Sequence, residues 1–193
     1  MKRTLTIMSL AAAAAAGTAV PALAQGTSMS SASTIAVGGQ AMLPTRDIVD
    51  NAVNSADHTT LVAAVKAAGL VETLKGKGPF TVFAPTNGAF GLLPAGTVET
   101  LVKPESKDAL TKILTYHVVA GRHDAASIMA AIKSGNGQAA LKTVSGGTLT
   151  ARMNGPKNVV VVDEAGNAAS VSTYDVIQSN GVIHVVDRVL MPR

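Results

Sequence analysis

Histidine has the widest chemical range of the side chains in this sequence, because a neutral imidazole can act as a general base, a nucleophile or a metal ligand. The chain has four histidines, and no two of them have the spacing of metal ligands on one helix or strand. Continuing the neighbouring apolar patterns places His117 and His184 on core-facing sides, where each ring would need a hydrogen-bond partner. We predict structural roles for these two residues and polar surface or capping positions for His58 and His123. A site assembled from distant segments stays open.

Other motifs for catalysis or cofactor binding are missing from the sequence. It has no Gly-x-Ser-x-Gly, His-Glu-x-x-His or Walker phosphate loop, and no cysteine for thiol chemistry, disulfides or zinc. Residues 135–140 match a dinucleotide-binding Gly-x-Gly-x-x-Ala pattern, but they follow a predicted helix and precede strands, the reverse of the required order. Residues 76–78 predict a turn, and Asp163 and Glu164 lack the oxygen spacing of a calcium loop. We therefore expect no enzyme activity, cofactor or metal.

The composition favours one ordinary globular domain that does not bind nucleic acid. The chain has 193 residues, of which 47% are hydrophobic, so an ordinary core can form without a metal or disulfide. Aromatic residues make up only 3%, and removal of Lys2 and Arg3 with an N-terminal segment lowers the formal charge from +4 to +2. Such a chain offers neither stacking platforms nor a basic stripe for nucleic acid.

The N-terminus has the three parts of a secretory signal peptide. Lys2 and Arg3 precede an uncharged apolar run, and residues 22–24 form a small-x-small cleavage site. A transmembrane anchor would need about 20 apolar residues, whereas this run is shorter and ends at Pro21. We predict a signal peptide over 1–24, a flexible spacer over 25–43 and one domain over 44–193. The mature protein is then periplasmic or extracellular, without stable membrane insertion.

The hydrophobic period changes from helical to extended along the domain. Apolar residues at helical spacing predict helices near residues 48–53, 61–68, 104–116 and 125–132. Alternating and β-branched runs separated by turn residues then predict strands over 148–153, 159–162, 171–177 and 182–190. Residues 80–84 form a separate strand between helices and must pair over a long range. Helices followed by antiparallel strands indicate an α+β domain.

Three segments, in this order, resemble the signatures of the fasciclin domain family. Residues 80–90 read FTVFAPTNGAF, residues 115–119 read TYHVV, and residues 180–192 read NGVIHVVDRVLMP. The resemblance covers about residues 42–193. It implies a fasciclin-like α+β wedge, with antiparallel β-sandwich-like sheets in the second half and several helices from the first half. It also implies an exported adhesion or surface-interaction module without catalysis or cofactor.

The resemblance assigns structural or interaction roles to the matching residues. By family analogy, Thr86, Asn87 and His117 would share a buried hydrogen-bond network that holds the first signature to the central helix. Gly88 departs from the alanine or acidic residue common in related sequences, and the chain has no Arg-Gly-Asp motif. The residues that match the signatures are Phe80, Thr81, Val82, Phe83, Ala84, Pro85, Thr86, Asn87, Phe90, Tyr116, His117, Asn180, Gly181, His184 and Asp187.

Two functional classes follow for such a module. The first binds a protein or polysaccharide partner at the cell surface or in the matrix. The second is a periplasmic or extracellular small-ligand-binding protein, which would need an apolar pocket with a few converging polar groups. An exposed patch without a pocket favours the first class.

Overall fold

A computed structural model describes residues 34–193. The predicted signal peptide and residues 25–33 of the predicted spacer lie outside the described residues.

The C-terminal part of the predicted spacer forms a β-hairpin, which differs from the flexible segment expected over 25–43. Strand β1 (Ile35–Val37) pairs antiparallel with β2 (Gln40–Met42). Both linking glycines have positive φ, 60° at Gly38 and 75° at Gly39, as a tight two-residue hairpin turn requires. Val37 and Met42 are buried in the domain core, so apolar burial stabilises the hairpin against the domain.

Helices occupy most of the chain from residue 48 to residue 134. Gly69 ends α2 in the left-handed conformation, and aspartates at positions 47 and 124 cap α1 and α7. Two short 3-10 turns, Ala56–His58 and Pro104–Ser106, lead into α2 and α6. The helices are α1 (Ile48–Ala52), α2 (Thr59–Ala68), α3 (Val71–Lys75), α4 (Asn87–Gly91), α5 (Thr97–Leu101), α6 (Lys107–Tyr116) and α7 (Ala125–Ser134).

Within residues 34–193, seven further strands form one mixed sheet. They are β3 (Phe80–Pro85), β4 (Val118–Ala120), β5 (Gln138–Lys142), β6 (Thr148–Asn154), β7 (Asn158–Val162), β8 (Ala168–Gln178) and β9 (Gly181–Val186). Their order is β4-β3-β9-β8-β7-β6-β5. The β3–β9 pair is parallel and the other pairs are antiparallel, so the expected antiparallel layers are one mixed sheet.

The two ends of this sheet meet, so the sheet is nearly closed. Val119 in β4 forms an isolated antiparallel bridge with Thr143, just after β5. The N–H of Val144 also donates to the carbonyl of Val118 at 2.8 Å. Closure leaves few unpaired edge groups at β4 and β5.

Buried apolar side chains of the described residues form two clusters separated by the sheet. One cluster lies between the helices and the sheet and includes Ile48, Leu61 and Ile183. The other includes Phe83, Tyr116 and the inward residues of β5 to β8. Strand β9 is buried at all six positions, because one face of it contributes to each cluster. Burial on both faces explains its continuous apolar sequence. The predicted α+β class is confirmed.

Candidate functional site

The three signature segments converge on the central strands of the sheet. Strand β3 pairs in parallel with β9, with Phe80 opposite Gly181 and Phe83 opposite His184. On its other side β3 pairs with β4, which follows the Tyr-His pair of the central segment. These contacts place most of the predicted signature residues in one continuous structural unit.

Apolar side chains of β3 face the two apolar clusters in alternation, and the strand also carries one buried hydroxyl. Val82 and Ala84 face the helical side and Phe83 faces the opposite cluster. Thr81 is fully buried; its Oγ1 donates to the carbonyl of Gly121 and accepts from the N–H of His123, both at 2.8 Å. Thr81 thereby fixes the loop after β4.

Thr86 and Asn87 each stabilise a helix start. Thr86 Oγ1 accepts from the N–H of Ala89 at 3.3 Å and caps α4. Asn87 Oδ1 accepts from the N–H of Thr60 at 3.0 Å and from the Thr59 hydroxyl, and its Nδ2 donates to the carbonyl of Ala56. Asn87 therefore connects α4 to the first turn of α2. Phe90 is buried within α4, and Pro85 is the last residue of β3.

His117 is buried, and both ring nitrogens have backbone partners. Nδ1 lies 2.8 Å from the carbonyl of Ile113, and Nε2 accepts from the N–H of Leu190 at 2.9 Å. These partners assign the neutral tautomer with the proton on Nδ1. Burial lowers the His117 pKa to about 4, against the opposing effects of the Ile113 carbonyl and the Asp163 carboxylate.

The expected network of Thr86, Asn87 and His117 is wrong. No hydrogen bond joins these three residues in the described part of the chain, because each one binds other partners. Thr86 and Asn87 satisfy the open N–H groups of nearby helix starts, whereas His117 connects α6 to the segment after β9. Short polar side chains such as those of Thr86 and Asn87 bond readily to backbone N–H groups close by, and these bonds replace the expected contact with His117.

His184 lies fully buried on β9 between two aromatic rings. Its Nε2 donates to the carbonyl of His123 at 2.8 Å, and its Nδ1 accepts a long bond of 3.4 Å from the N–H of Asp175. The imidazole stacks on Phe83 with ring centres 5.6 Å apart and meets Tyr174 edge-on at 6.2 Å. Burial lowers the His184 pKa. This geometry holds the loop at His123 against the sheet and leaves neither ring nitrogen free.

His58 is buried, which corrects the predicted surface position. Only 3% of the residue is exposed, and Nδ1 lies 2.9 Å from the hydroxyl of Ser55. Val37 and Met42 of the hairpin line a small cavity together with His58, so a segment expected to be a spacer covers the ring. Burial lowers the His58 pKa.

Tyr116 and Asp187 hold the sheet together at two separate places. The Tyr116 hydroxyl is buried; it donates to the carbonyl of Thr148 and accepts from the N–H of Glu164, both at 3.0 Å. Asp187 is exposed, and its Oδ1 accepts from the N–H of Ser170 at 2.7 Å. Tyr116 thereby links the central helix to two strand ends, and Asp187 extends the β8–β9 pairing.

Asn180 joins three elements through one side chain. Its Oδ1 accepts from the N–H of Ile48 at 3.1 Å, and its Nδ2 donates to the carbonyls of Leu74 and Gly76. Its backbone carbonyl also accepts from the N–H of Phe80 at 3.1 Å. Asn180 therefore fixes the start of α1, the end of α3 and the start of β3.

Asn180→Ala is expected to lower the free energy of unfolding by about 2 kcal/mol, because three backbone groups lose their partner. Asn180 is half-buried, so water replaces part of the lost bonding. Urea denaturation measures the change. Asn54→Ala is the control, since the exposed Asn54 side chain donates only to the carbonyl of Asp50. Equal stability of the two variants would contradict this role.

Sequence reasoning missed a buried polar pair beside the hairpin. The Nδ2 of Asn51 donates to the carbonyl of Leu43 at 2.7 Å and also to Oε1 of Gln178. Asn51 and Gln178 are 1% and 2% exposed. An asparagine facing the core of a short helix was the available signal, but its partner lies 127 residues away.

Asp163 and Glu164 lie at the turn between β7 and β8. The buried Asp163 carboxylate accepts from the N–H groups of Asn167 and Met191 at 2.8 and 2.9 Å. Glu164 Oε1 accepts from the N–H of Thr148. The carboxylates thus satisfy backbone donors. Among residues 34–193 no group of three His, Cys, Asp or Glu side chains could hold a metal ion.

An apolar cavity of about 50 Å³ lies between α1, α2, α3 and the sheet. Val49, Val65 and Leu74 line it from the helices, and Val82 and Ile183 line it from the sheet. Lys66, which is exposed, is the one charged side chain among the described lining residues. His117 also touches the cavity, but its ring nitrogens are bound to the backbone. No helix in the described range is long and apolar enough to span a bilayer.

Comparisons with known proteins agree with this geometry. The sequence model of the fasciclin domain matches residues 56–192. Protein sll1483 of Synechocystis sp. is 51% identical over 145 residues, which cover 75% of this chain and 73% of that protein. The cell surface glycolipoprotein MPB83 of Mycobacterium bovis is 36% identical over 161 residues, covering 81% and 64%. The solved FAS1 domain pair of the insect cell adhesion molecule fasciclin I has the same fold, with a TM-score of 0.67 at 18% identity, covering 76% of this chain and 51% of that one.

Proposed function

This chain belongs to the fasciclin domain family, and on that basis we propose that it is an exported, non-catalytic adhesion module. It binds a protein or polysaccharide partner at the cell surface or in the matrix. Its predicted signal peptide is removed after Ala24, and the mature chain acts in the periplasm or outside the cell. It does not bind nucleic acid.

The use of the signature side chains for internal bonding carries this proposal. Thr81, His117 and His184 bind backbone groups of distant loops, and Asn87 and Asn180 bind helix ends. A catalytic group must keep an atom free to reach the substrate. The polar side-chain atoms of these five residues are instead bonded internally, which supports a rigid body that acts through its surface.

The names of two similar proteins support a role at the cell surface. MPB83 of Mycobacterium bovis is a cell surface glycolipoprotein, and fasciclin I is an insect cell adhesion molecule. Neither name describes an enzyme.

Gene deletion followed by an attachment assay tests the proposed function. We expect weaker attachment to surfaces or to other cells, and recovery when the full-length chain is supplied. Mass spectrometry of the exported form should give an N-terminus at Gln25. Complementation with a chain lacking residues 1–24 is the control for export. Normal attachment of the deletion strain, or turnover by the purified protein across ester, glycan and peptide substrates, would contradict the proposal.

The apolar cavity favours a second candidate, a carrier of a small apolar ligand. The cavity walls are apolar and Lys66 at the rim could pair with an anionic head group. A cavity of about 150 Å³ holds benzene, so at about 50 Å³ this one must widen by a shift of the short helices α1 or α3.

Fatty acids of increasing chain length test the second candidate. A ligand at a concentration of about 100 times its Kd raises the free energy of unfolding by about 2.7 kcal/mol. This corresponds to a rise of about 5 °C or more in the melting temperature. Ala52→Leu places added bulk at the cavity and should abolish this rise, whereas Ala67→Leu on the exposed side of α2 should retain it. An equal rise in both variants, or none in the wild type, would contradict binding in the cavity.

A further inference from the structure

An open polar groove of about 520 Å³ lies where β3 and β9 begin. Residues 76–79 form one wall and residues 179–181 form the other, with Arg122 from the loop after β4 at the end. The groove therefore lies between the starts of the first and last signature segments. It is separate from the apolar cavity, since no residue lines both.

Close backbone packing joins the two walls of this groove. A Cβ atom on Gly78 would lie 1.9 Å from the carbonyl oxygen of Asn180, so only glycine allows the two walls to pack here. The Asn180 side chain also donates to the carbonyl of Gly76. This packing fixes the backbone of one wall against the other before a ligand binds, which lowers the entropic cost of binding.

The groove presents more positive than negative charge. Lys75, Lys77 and Arg122 line it together with one carboxylate, that of Asp47. Lys75 is paired with Asp47 at 3.3 Å and with Asp50 at 2.5 Å. Lys77 and Arg122 are exposed and form no salt bridge with any residue in 34–193. Lys77 on one wall and Arg122 at the end of the groove are thus available to an anionic ligand.

Backbone donors add to this charge. The N–H groups of Lys77 and Gly78 have no hydrogen-bond partner in the described part of the chain. A backbone N–H group can donate a charge-assisted hydrogen bond to an oxyanion that the cations attract. The exposed hydroxyl of Ser179 offers a further hydrogen bond from the opposite wall.

We propose that this groove binds carboxylate or sulfate groups of an acidic polysaccharide. The inference rests on the proposed function, because it names the partner class for surface contact. Protein partners favour aromatic anchors, and membranes favour inserted apolar side chains. The groove has neither; its one apolar side chain is the exposed ring of Pro79, which can contact the C–H face of a sugar.

Binding at one groove is expected to be weak and sensitive to salt. An exposed ion pair contributes about 2-fold to 5-fold in affinity, so loss of both unpaired cations corresponds to about tenfold. Salt at 0.1 M largely screens exposed charges that lie more than about 10 Å apart, and higher salt shortens this range, so the affinity should fall as salt is added. Repeated anionic groups along one polysaccharide strengthen attachment when several copies of the protein bind the same chain.

A binding assay of the full-length chain tests the inference. The ligands are polygalacturonate and dextran sulfate, and neutral dextran is the uncharged reference. We expect Lys77→Gln with Arg122→Gln to weaken binding to an acidic polymer about tenfold at 50 mM salt. The matched control is Lys142→Gln with Lys157→Gln, which removes the same charge from exposed positions outside the groove and should change binding less than twofold. Free sulfate should perturb NMR signals of Lys77 and Ser179 only weakly, which separates polymer binding from free-anion binding.

Three results would overturn the inference. The first is an equal loss of polymer affinity in the control pair, and the second is binding of neutral dextran as tight as that of the acidic polymers. The third is binding to phosphatidylglycerol vesicles that needs Lys77 and Arg122 while both acidic polymers fail to bind. Attachment of cells complemented with the groove variants separates the two proposals. Normal attachment with these variants rejects the groove and keeps the adhesion function, whereas normal attachment after gene deletion rejects that function itself.

Discussion

Gly181→Ala is expected to lower the free energy of unfolding by about 3 kcal/mol. A Cβ atom at this position would lie 2.1 Å from the carbonyl oxygen of Phe80 and 3.1 Å from Cδ1 of Ile48. The Phe80 oxygen is backbone and lies at the start of the β3–β9 pairing, so it cannot move away without separating the two strands. Asn180 would move with Gly181, and its bonds to α1 and α3 would weaken as well.

Gly88→Ala is the matched control for this substitution. Gly88 is exposed inside α4, and its nearest neighbour to an added Cβ is Thr86 Oγ1 at 3.6 Å, an ordinary contact. Alanine favours the helix here by about 0.5–1 kcal/mol. Urea denaturation of both variants should therefore give changes of opposite sign. A Gly181→Ala protein as stable as the wild type would show that the strand starts can separate freely.

Local periodicity predicts α1, α2, α6, α7 and the strands β6 to β9, but it misses α5 and β5. The stripe of Leu110, Ile113 and Leu114 lies buried in α6, and Gly69 ends α2. Leu149 and Ala151 alternate with more exposed neighbours in β6. Each of these patterns acts over a few residues, where the hydrophobic period and capping are sufficient.

Long-range pairing is the part that periodicity does not predict. The parallel contact of β3 with β9 joins residues about 100 positions apart, with Phe80 opposite Gly181. Closure through Val119 and Thr143 has no local signal either. The resemblance to the fasciclin family gave the three signatures and their order, but it did not specify the register between their strands.

The spacer and His58 show how one missed turn changes a second prediction. Gly38 and Gly39 are a recognisable hairpin signal between apolar residues, but the uncharged small-residue composition favoured a flexible segment. The hairpin lines the cavity beside His58 and places that ring in the interior. Burial of a side chain depends on what covers it, so an error in one element is passed to its neighbours.

The candidate site was predictable by residue but not by partner. His117 and His184 are buried and hydrogen-bonded, as predicted. Their acceptors and donors are backbone groups of loops, which any residue type supplies, so no sequence pattern identifies them. The groove is likewise assembled from a turn and a hairpin that are about 100 residues apart.

Acidification is expected to destabilise the protein through His117. Its pKa is about 4 in the folded chain and about 6.5 in the unfolded chain, so between these values the unfolded state binds more protons. The contribution of the neutral ring is fully present above pH 6.5 and is lost as the pH falls towards 4. Loss of the whole contribution lowers the free energy of unfolding by about 3 kcal/mol.

His117→Leu separates this effect from other titrating groups. At pH 7 the variant should be about 2–3 kcal/mol less stable than the wild type, because the Leu190 N–H and the Ile113 carbonyl lose their partner. The difference should shrink by about 2 kcal/mol between pH 7 and pH 4.5, since only the wild type loses stability through this ring. The buried His58 and His184, whose pKa values are also lowered, are common to both proteins and cancel.

Ile113→Val supplies the non-titrating comparison on the same helix. It removes one buried methyl group at about 1 kcal/mol, and this cost should be the same at every pH. Denaturant titrations of the three proteins at pH 4.5, 5.5 and 7 measure the differences. If the His117→Leu difference is as constant as that of Ile113→Val, then folding does not lower the His117 pKa, and the ring is not the acid-sensitive contact between α6 and the C-terminal segment.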